Sequence, residues 1–506
     1  MRRTTNTPQT NLSPRLSLQF YNEAIRGQIN KKTLRIGSLV ALTASATFMN
    51  TEWPKILSAL DVAANAAKIS WLLPIPYFII QTIGFQRGLN ERLIIDLESL
   101  KDRRLELSGK RIIYTITTKG ENLTTLKETV DSTIKWTEKV KTQHGLKFDS
   151  EVWVVTEEKN YVTNSTFYAE LEEKGALVVA VPSTYVTKNK SLFKTRALQY
   201  AAELRRDRAF DGPTDWVYHQ DTETQIGEDT VLGNLDFILG ADGATVAGSG
   251  IILYSRGWIN GATSVQETAR SSADLCALGQ MNSWGRVFFG YHGSHILIRG
   301  DAEASLGWDY GRVRSEDLRF SVRLRQRYGS CIRAMKGFAY EIPPLTLRDH
   351  LKQRRRWILG SFEILRRRDV PARMKAPILY SAVSWLSALP SLFITAFNMA
   401  YPSGGFIPVA SGIFTGLVWW SMLNGYLVGL ELHKEYTKVK GGILGVIRGI
   451  LTGLATDAIS PWYALFFGTK GYDEISKDRP PLKSTEPEID PLIFDAIPDL
   501  NELHNK

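Results

Sequence analysis

Apolar residues in this chain fall into distinct patterns. Long, nearly unbroken runs occupy residues 34–50, 69–85, 376–401 and 406–432. A bilayer span needs about 20 predominantly apolar residues, so these stretches predict four transmembrane helices in two pairs. The first run is short and rich in Ala, Thr and Ser, which leaves a buried or interfacial helix as its alternative. A fifth apolar region, 443–467, is interrupted by Arg448, Asp457 and Pro461. Such residues are tolerated at membrane depth only where protein shelters them. The region therefore predicts a re-entrant or interfacial element, with a full span as the alternative.

Between the pairs the pattern changes. Residues 105–346 contain strand-like runs at 111–117 (RIIYTIT), 151–156 (EVWVVT), 176–182 (ALVVAVP) and 215–219 (DWVYH), with helical stretches at 121–143 and 191–207. This βαβα alternation predicts a Rossmann-like α/β domain on a parallel sheet with helices on both faces. In such sheets ligands bind beyond the carboxyl ends of the strands. Residues 347–370 read as a basic amphipathic helix of the kind that lies on a membrane surface.

Charge refines the picture. The 506 residues carry a formal net charge of +10, with 23% charged and 43% hydrophobic residues, a balance that excludes global disorder. A basic protein can mean a nucleic-acid partner. Here the basic residues flank the apolar runs: Arg26, Lys31, Lys32 and Arg35 before the first; Arg87, Arg92, Lys101, Arg103 and Arg104 after the second; Arg366, Arg367, Arg368, Arg373 and Lys375 before the third; Lys434, Lys438 and Lys440 after the fourth. That alternation accounts for the charge without nucleic acid. It predicts a multi-pass protein with segment 1–33, the central domain and the tail 470–506 on the cytoplasmic side. The first 35 residues show no cleavable-signal pattern. Two cysteines, Cys276 and Cys331, exclude a disulfide framework.

Three polar clusters carry candidate chemistry. Asp221 and Glu223 follow the strand-like run ending at His219. Two carboxylates at i and i+2 can share a divalent cation, Mn²⁺ or Mg²⁺, that neutralises a diphosphate; a solvated turn would use the same residues. Ser315-Glu316-Asp317 opens a helical stretch. Helix capping explains those residue types, and so does a carboxylate that takes the proton of an acceptor hydroxyl. In Gln353-Arg354-Arg355-Arg356-Trp357, Arg356 suits a diphosphate, Trp357 offers a platform for a sugar ring, and Gln353 can hydrogen-bond either ligand. His292, before Gly293-Ser294-His295, is either an acceptor-pocket residue or a structural hydrogen-bonding group.

In this order the clusters resemble the family 2 inverting, membrane-integrated glycosyltransferases, which include cellulose and hyaluronan synthases. More narrowly, segments 191–200 (SLFKTRALQY), 215–224 (DWVYHQDTET) and 315–357 are similar to the Egghead-type β-1,4-mannosyltransferases. The resemblance implies a GT-A type domain inserted between membrane helix pairs. It implies metal-dependent, inverting transfer of mannose from GDP-mannose to a lipid-linked glycosyl acceptor such as a glucosyl lipid. It places Thr117, Thr118 and Lys119 at the base or ribose, Glu157, Lys194 and Arg196 near the nucleotide, Asp221 on the nucleotide and Glu223 on the metal. Asp317 becomes the base beside Glu316, while Gln353, Arg356 and Trp357 close the donor site and touch the acceptor. The chain departs from the wider family at Glu157, Glu223 and Ser315. A processive synthase using a UDP-sugar and an inactive membrane scaffold are the alternatives.

Overall fold

The computed structural model describes residues 75–90, 95–254, 261–290, 292–400, 423, 425–430, 432–433 and 442–467. The expected N-terminal segment, the run 34–50, the start of the run 69–85, most of 406–432 and the tail 470–506 lie outside the described residues.

The strands are β1 (Arg111–Thr117), β2 (Asp149–Glu157), β3 (Ala176–Val181), β4 (Asp215–Asp221), β5 (Gln225–Ile226), β6 (Ala247–Leu253), β7 (Ile296–Arg299) and β8 (Ile332–Tyr340). They form one sheet in the order β3-β2-β1-β4-β7-β6-β8-β5. The first four are parallel, as the alternation predicts. The expectation of a parallel sheet fails beyond β4: β7 runs antiparallel to both β4 and β6, β6 and β8 are parallel, and β5 is antiparallel to β8. The sheet is mixed. Hydrophobic alternation is blind to strand direction, and a run such as ILIR reads the same either way.

Among the helices are α1 (Ile75–Asn90), α2 (Leu123–His144), α3 (Phe193–Asp207), α4 (Glu228–Gly240), α5 (Gly261–Trp284), α6 (Gly300–Leu306), α7 (Glu316–Tyr328), α8 (Leu347–Arg366), α9 (Ala372–Ala400) and α10 (Gly442–Phe466). Both faces of β1 are covered. Ile112, Tyr114 and Ile116 pack with Leu126 and Val130 of α2 and with Leu235 of α4. Ile113 packs with Trp153, Val155 and, from α3, Ala197 and Ala201. A strand covered on both sides reads as a continuous apolar run, which is why RIIYTIT is so legible.

Among the described residues no helix is long and apolar enough to cross a membrane. Helices do cover the described parts of the runs 69–85 and 376–401, but α1 packs one face against α5 of the sheet domain. A Cβ at Gly88 would lie 2.0 Å from the Leu275 carbonyl oxygen, and one at Gly279 would lie 2.0 Å from that of Gly84, so glycine lets the α1 and α5 backbones touch. The region 443–467 forms one helix up to Phe466: α10 continues through Pro461, and its Asp457 is sheltered by Arg354 and Tyr426.

Candidate active site

The sheet gathers the site. Strand order reverses at β1, which has β2 on one side and β4 on the other, the arrangement that opens a ligand crevice beyond the strand ends. The β1–β4 register sets Thr117 directly opposite Asp221. The Thr222 hydroxyl donates to the Thr117 carbonyl at 3.0 Å, and the Thr129 hydroxyl donates to the Thr222 carbonyl at 2.7 Å. Thr118 donates its N–H to the Val155 carbonyl at 3.0 Å, and Lys119 lies 5.8 Å from the Phe193 ring centre at the start of α3.

Helix α3 supplies two basic residues with different partners. The Lys194 ammonium contacts Asp221, sits 3.4 Å from Glu316 and donates to the Gly293 carbonyl at 3.4 Å. Burial opposes its charge, but Asp221 and Glu316 outweigh that and raise its pKa above the ordinary lysine range. Arg196 pairs with Glu157 at the end of β2 and donates to the carbonyls of Tyr185, at 3.0 Å, and Pro182. It thereby ties the loop after β3 to the rim where Glu157 stands.

Asp317 occupies the first turn of α7. Ser315 holds the N-cap position without a side-chain capping bond, and Glu316 and Asp317 lie in the first helical turn. Burial and the neighbouring Glu316 push the Asp317 carboxyl up to about 6, against the Leu318 N–H, Lys194 and Arg356. The Leu318 N–H donates to Asp317 at 2.7 Å. A Cβ on Gly293 would meet Lys194 Nζ at 3.3 Å, Asp317 Cβ at 3.5 Å and Glu316 Oε1 at 3.6 Å, so this glycine keeps space open at the centre of the cluster.

Helix α8 brings the third cluster in. At Gly360 a Cβ would lie 2.0 Å from Ser315 Oγ, so α8 lies directly on the start of α7. Arg314 locks the contact, donating its N–H and guanidinium to Glu363 at 3.0 and 2.5 Å. One turn before Gly360, Arg356 comes close enough to act on the Asp317 carboxyl. Gln353 is buried, and its amide oxygen accepts from Arg354 at 2.9 Å. The Trp357 ring has two guanidinium neighbours, Arg354 at 4.4 Å and Arg270 at 4.6 Å from its centre.

His292 is engaged by the Asp274 carboxylate, with Arg270 Nη2 3.4 Å from its other ring nitrogen. The structure also shows residues the sequence did not flag. Glu341, directly after β8, is buried and accepts from Thr224 at 2.7 Å and Ser294 at 2.6 Å. It fastens the loop after Asp221 to the segment leading into β7. A glutamate ending the apolar run 332–340 was the only signal available.

Among the described residues no group of three or more His, Cys, Asp and Glu side chains forms a metal cage. Asp221 and Glu223 are both part-exposed at the strand end, and Asp221 is engaged by the Lys194 ammonium.

Residues 216–430 match the family described as Glycosyl transferase family group 2. The β-1,4-mannosyltransferase egh of Drosophila melanogaster is 29% identical over 282 residues, covering 55% of this chain and 60% of that protein. The β-1,4-mannosyltransferase bre-3 of Caenorhabditis elegans is 33% identical over 211 residues, covering 41% of this chain and 45% of that protein. The chain thus matches about half the length of these relatives. Among solved structures, the glucosyl-3-phosphoglycerate synthase of Mycobacterium tuberculosis, in complex with Mn²⁺, UDP and phosphoglyceric acid, overlaps 49% of this chain and 74% of its own at 14% identity and a TM-score of 0.29. Residues 1–349 of S. aureus TarS with UDP overlap 72% and 94% at 12% identity and 0.31. Scores this low have no bearing on the chemistry. The match over 216–430 encloses Asp221, Asp317 and Arg356, and this stretch of the chain is similar to the glycosyl transferase family group 2 and to the egh and bre-3 β-1,4-mannosyltransferases.

Proposed function

We propose that this protein is an inverting β-1,4-mannosyltransferase that moves mannose from GDP-mannose to the sugar of a membrane lipid at the cytoplasmic face. The convergence of Asp221, Lys194, Glu316, Asp317 and Arg356 around Gly293 carries this reading. The relatives' names supply the mannose and the linkage. The apolar runs of the sequence supply the membrane and the lipid acceptor.

The chemistry follows from the residues. With a pKa pushed up to about 6, Asp317 is ionised at neutral pH yet basic enough to take a proton. It accepts the proton of the acceptor hydroxyl as that oxygen attacks the anomeric carbon. The bond from that carbon to the diphosphate oxygen breaks on the opposite face, and the nucleoside diphosphate leaves with the electron pair. Arg356 and Lys194 supply positive charge where negative charge develops on the leaving group. Asp221 and Glu223 would hold a divalent cation, whose contribution is to neutralise the diphosphate. The N–H and C=O groups around Thr117, Thr118 and Lys119 border the nucleoside.

The test is transfer by the purified full chain from a panel of GDP- and UDP-sugars to glucosyl lipids, with and without Mn²⁺ or Mg²⁺. Mannosyl transfer from GDP-mannose in single units is the expected outcome. Transfer from a UDP-sugar alone, or a polymeric product, would replace the substrate assignment with the processive one.

A further inference from the structure

The three consecutive arginines of α8 diverge, because successive helical residues are rotated by about 100°. Arg356 lies near enough to Asp317 for its charge to act on that carboxyl. Arg354 is buried and uses all three arms of its guanidinium: Nη1 donates to Gln353 Oε1 at 2.9 Å, Nη2 lies 3.0 Å from Glu267 Oε1, and Nε reaches Asp457 Oδ1 at 3.4 Å. Arg355, also buried, donates to the Phe467 carbonyl at 2.7 Å, just beyond the end of α10. Two of the three arginines thus bind α10 rather than the donor crevice.

The place where α10 receives them is built for the purpose. Asp457 Oδ2 accepts from the Tyr426 hydroxyl at 2.9 Å, its backbone carbonyl accepts from Trp385 Nε1 of α9 at 3.0 Å, and Thr456 accepts from Gln266 of α5 at 3.3 Å. His350, fully buried one turn before Arg354, stands 3.2 Å from Glu267 and 3.8 Å from Asp457. Glu267 is fully buried. Burial would push its carboxyl up, but Arg354 and Arg270 hold it well below the usual carboxylate range. The same two arginines flank Trp357.

We infer that Asp457, on α10 and outside the family match of 216–430, is a positioning residue for the active site: together with Glu267 it holds Arg354, and through Arg354 it sets the stance of Arg356 and Trp357. The inference rests on the glycosyltransferase reading for its kinetic consequence, but not for its structural one. A buried guanidinium that loses one of two carboxylates is left undercompensated and must shift. Trp357 and Arg356 sit on the same helix within one turn, so they shift too. The C-terminal helix is then part of the enzyme's working parts, not an appendage to the matched domain.

The experiment uses the full chain in detergent, as wild type, Asp457→Asn and Arg354→Lys. Donor KM and kcat are measured alongside amide hydrogen exchange. Asp457→Asn removes charge at constant shape; it should raise donor KM about tenfold and speed exchange over residues 353–361 while β1–β4 stay protected. Arg354→Lys keeps the charge but cannot bridge both acids with one ammonium, and should act in the same direction by a smaller factor. It also serves if Asp457→Asn fails to fold. Variants with KM and exchange within about twofold of wild type would overturn the inference, as would exchange that rises equally throughout the sheet. A wild type that transfers no sugar would remove the enzymatic reading, while the exchange over 353–361 would still decide the positioning role.

Discussion

Glu303 touches β4 directly and Asp317 is linked to it through one intervening lysine, and the two acids titrate in opposite senses. Glu303 is reached from His219 and Asp317 by way of Asp221 and Lys194, two residues further along the same strand. Glu303 Oε2 accepts from Arg205 at 2.7 Å; its Oε1 accepts from Trp308 at 2.7 Å and meets His219 Nε2 at 2.9 Å. Burial works against its charge, but Arg205 and His219 overcome it and hold the carboxyl at about 2. Asp317 has one directed backbone donor, a like charge beside it, and cations nearby that do not fully offset burial, and it rises to about 6. An acid with every lone pair answered by a fitted donor is architecture. One left partly unanswered beside an open crevice keeps its basicity for a reaction.

Breaking the two acids separately should separate two readouts. The largest effect belongs to Asp317→Asn: transfer should fall by roughly 10²–10⁴-fold, the usual worth of a general base, with nucleotide binding and thermal stability nearly unchanged. Near-normal turnover would remove Asp317 from the mechanism. Glu303→Ala should instead cost about 3–5 kcal/mol of stability, because it strands a buried guanidinium; denaturant unfolding measures it. A loss under about 1 kcal/mol would show that Arg205 finds other partners.

The pH dependences sharpen the same contrast. The folded-state pKa of Glu303 lies below its ordinary 4.5. Its contribution is therefore fully present above pH 4.5 and is lost as pH falls from 4.5 towards 2, about 3 kcal/mol in all. Unfolding free energies over that window test it, against a Glu303→Gln reference in which the loss should be absent. Asp317 moves the other way and must be ionised to act. Its kcat/KM should fall about tenfold per pH unit below roughly 6. The smallest effect expected is that of Glu316→Gln: removing the like charge should move this acid limb down by less than about one unit. A limb that stays in place would mean burial alone sets the Asp317 pKa.

Much of the site was legible in the chain because its parts are local. The pair Asp221 and Glu223 follows a strand, Asp317 opens a helix, and the Gln353 to Trp357 cluster sits on another. The strands β1 to β4 were legible because both of their faces are buried, which makes them read as short apolar runs. Direction and pairing in the second half of the sheet were not, since β7 joins β4 and β6 through contacts between segments far apart in sequence. The motif singled out Arg356 among three arginines in a row, but it did not reveal that Arg354 and Arg355 bind α10, because that depends on what the other sides of α8 meet. Glu267, Glu303 and Glu341 left almost no trace, because a buried glutamate in a helix or at a strand end looks like a solvated one until its partner arrives from a distant segment.

What the sequence by itself determined is the strands through β4, the helices α2 and α3 between them, the reactive residue types at their ends and the family they resemble. These depend on short-range periodicity and on motifs that keep their spacing. Only the tertiary structure decided which acid has its pKa raised and which has it lowered. A carboxylate's pKa is set by its burial and by charges within a few ångströms, and the neighbours that matter here come from other parts of the chain: Lys194 and Arg356 for Asp317, Arg205 and His219 for Glu303.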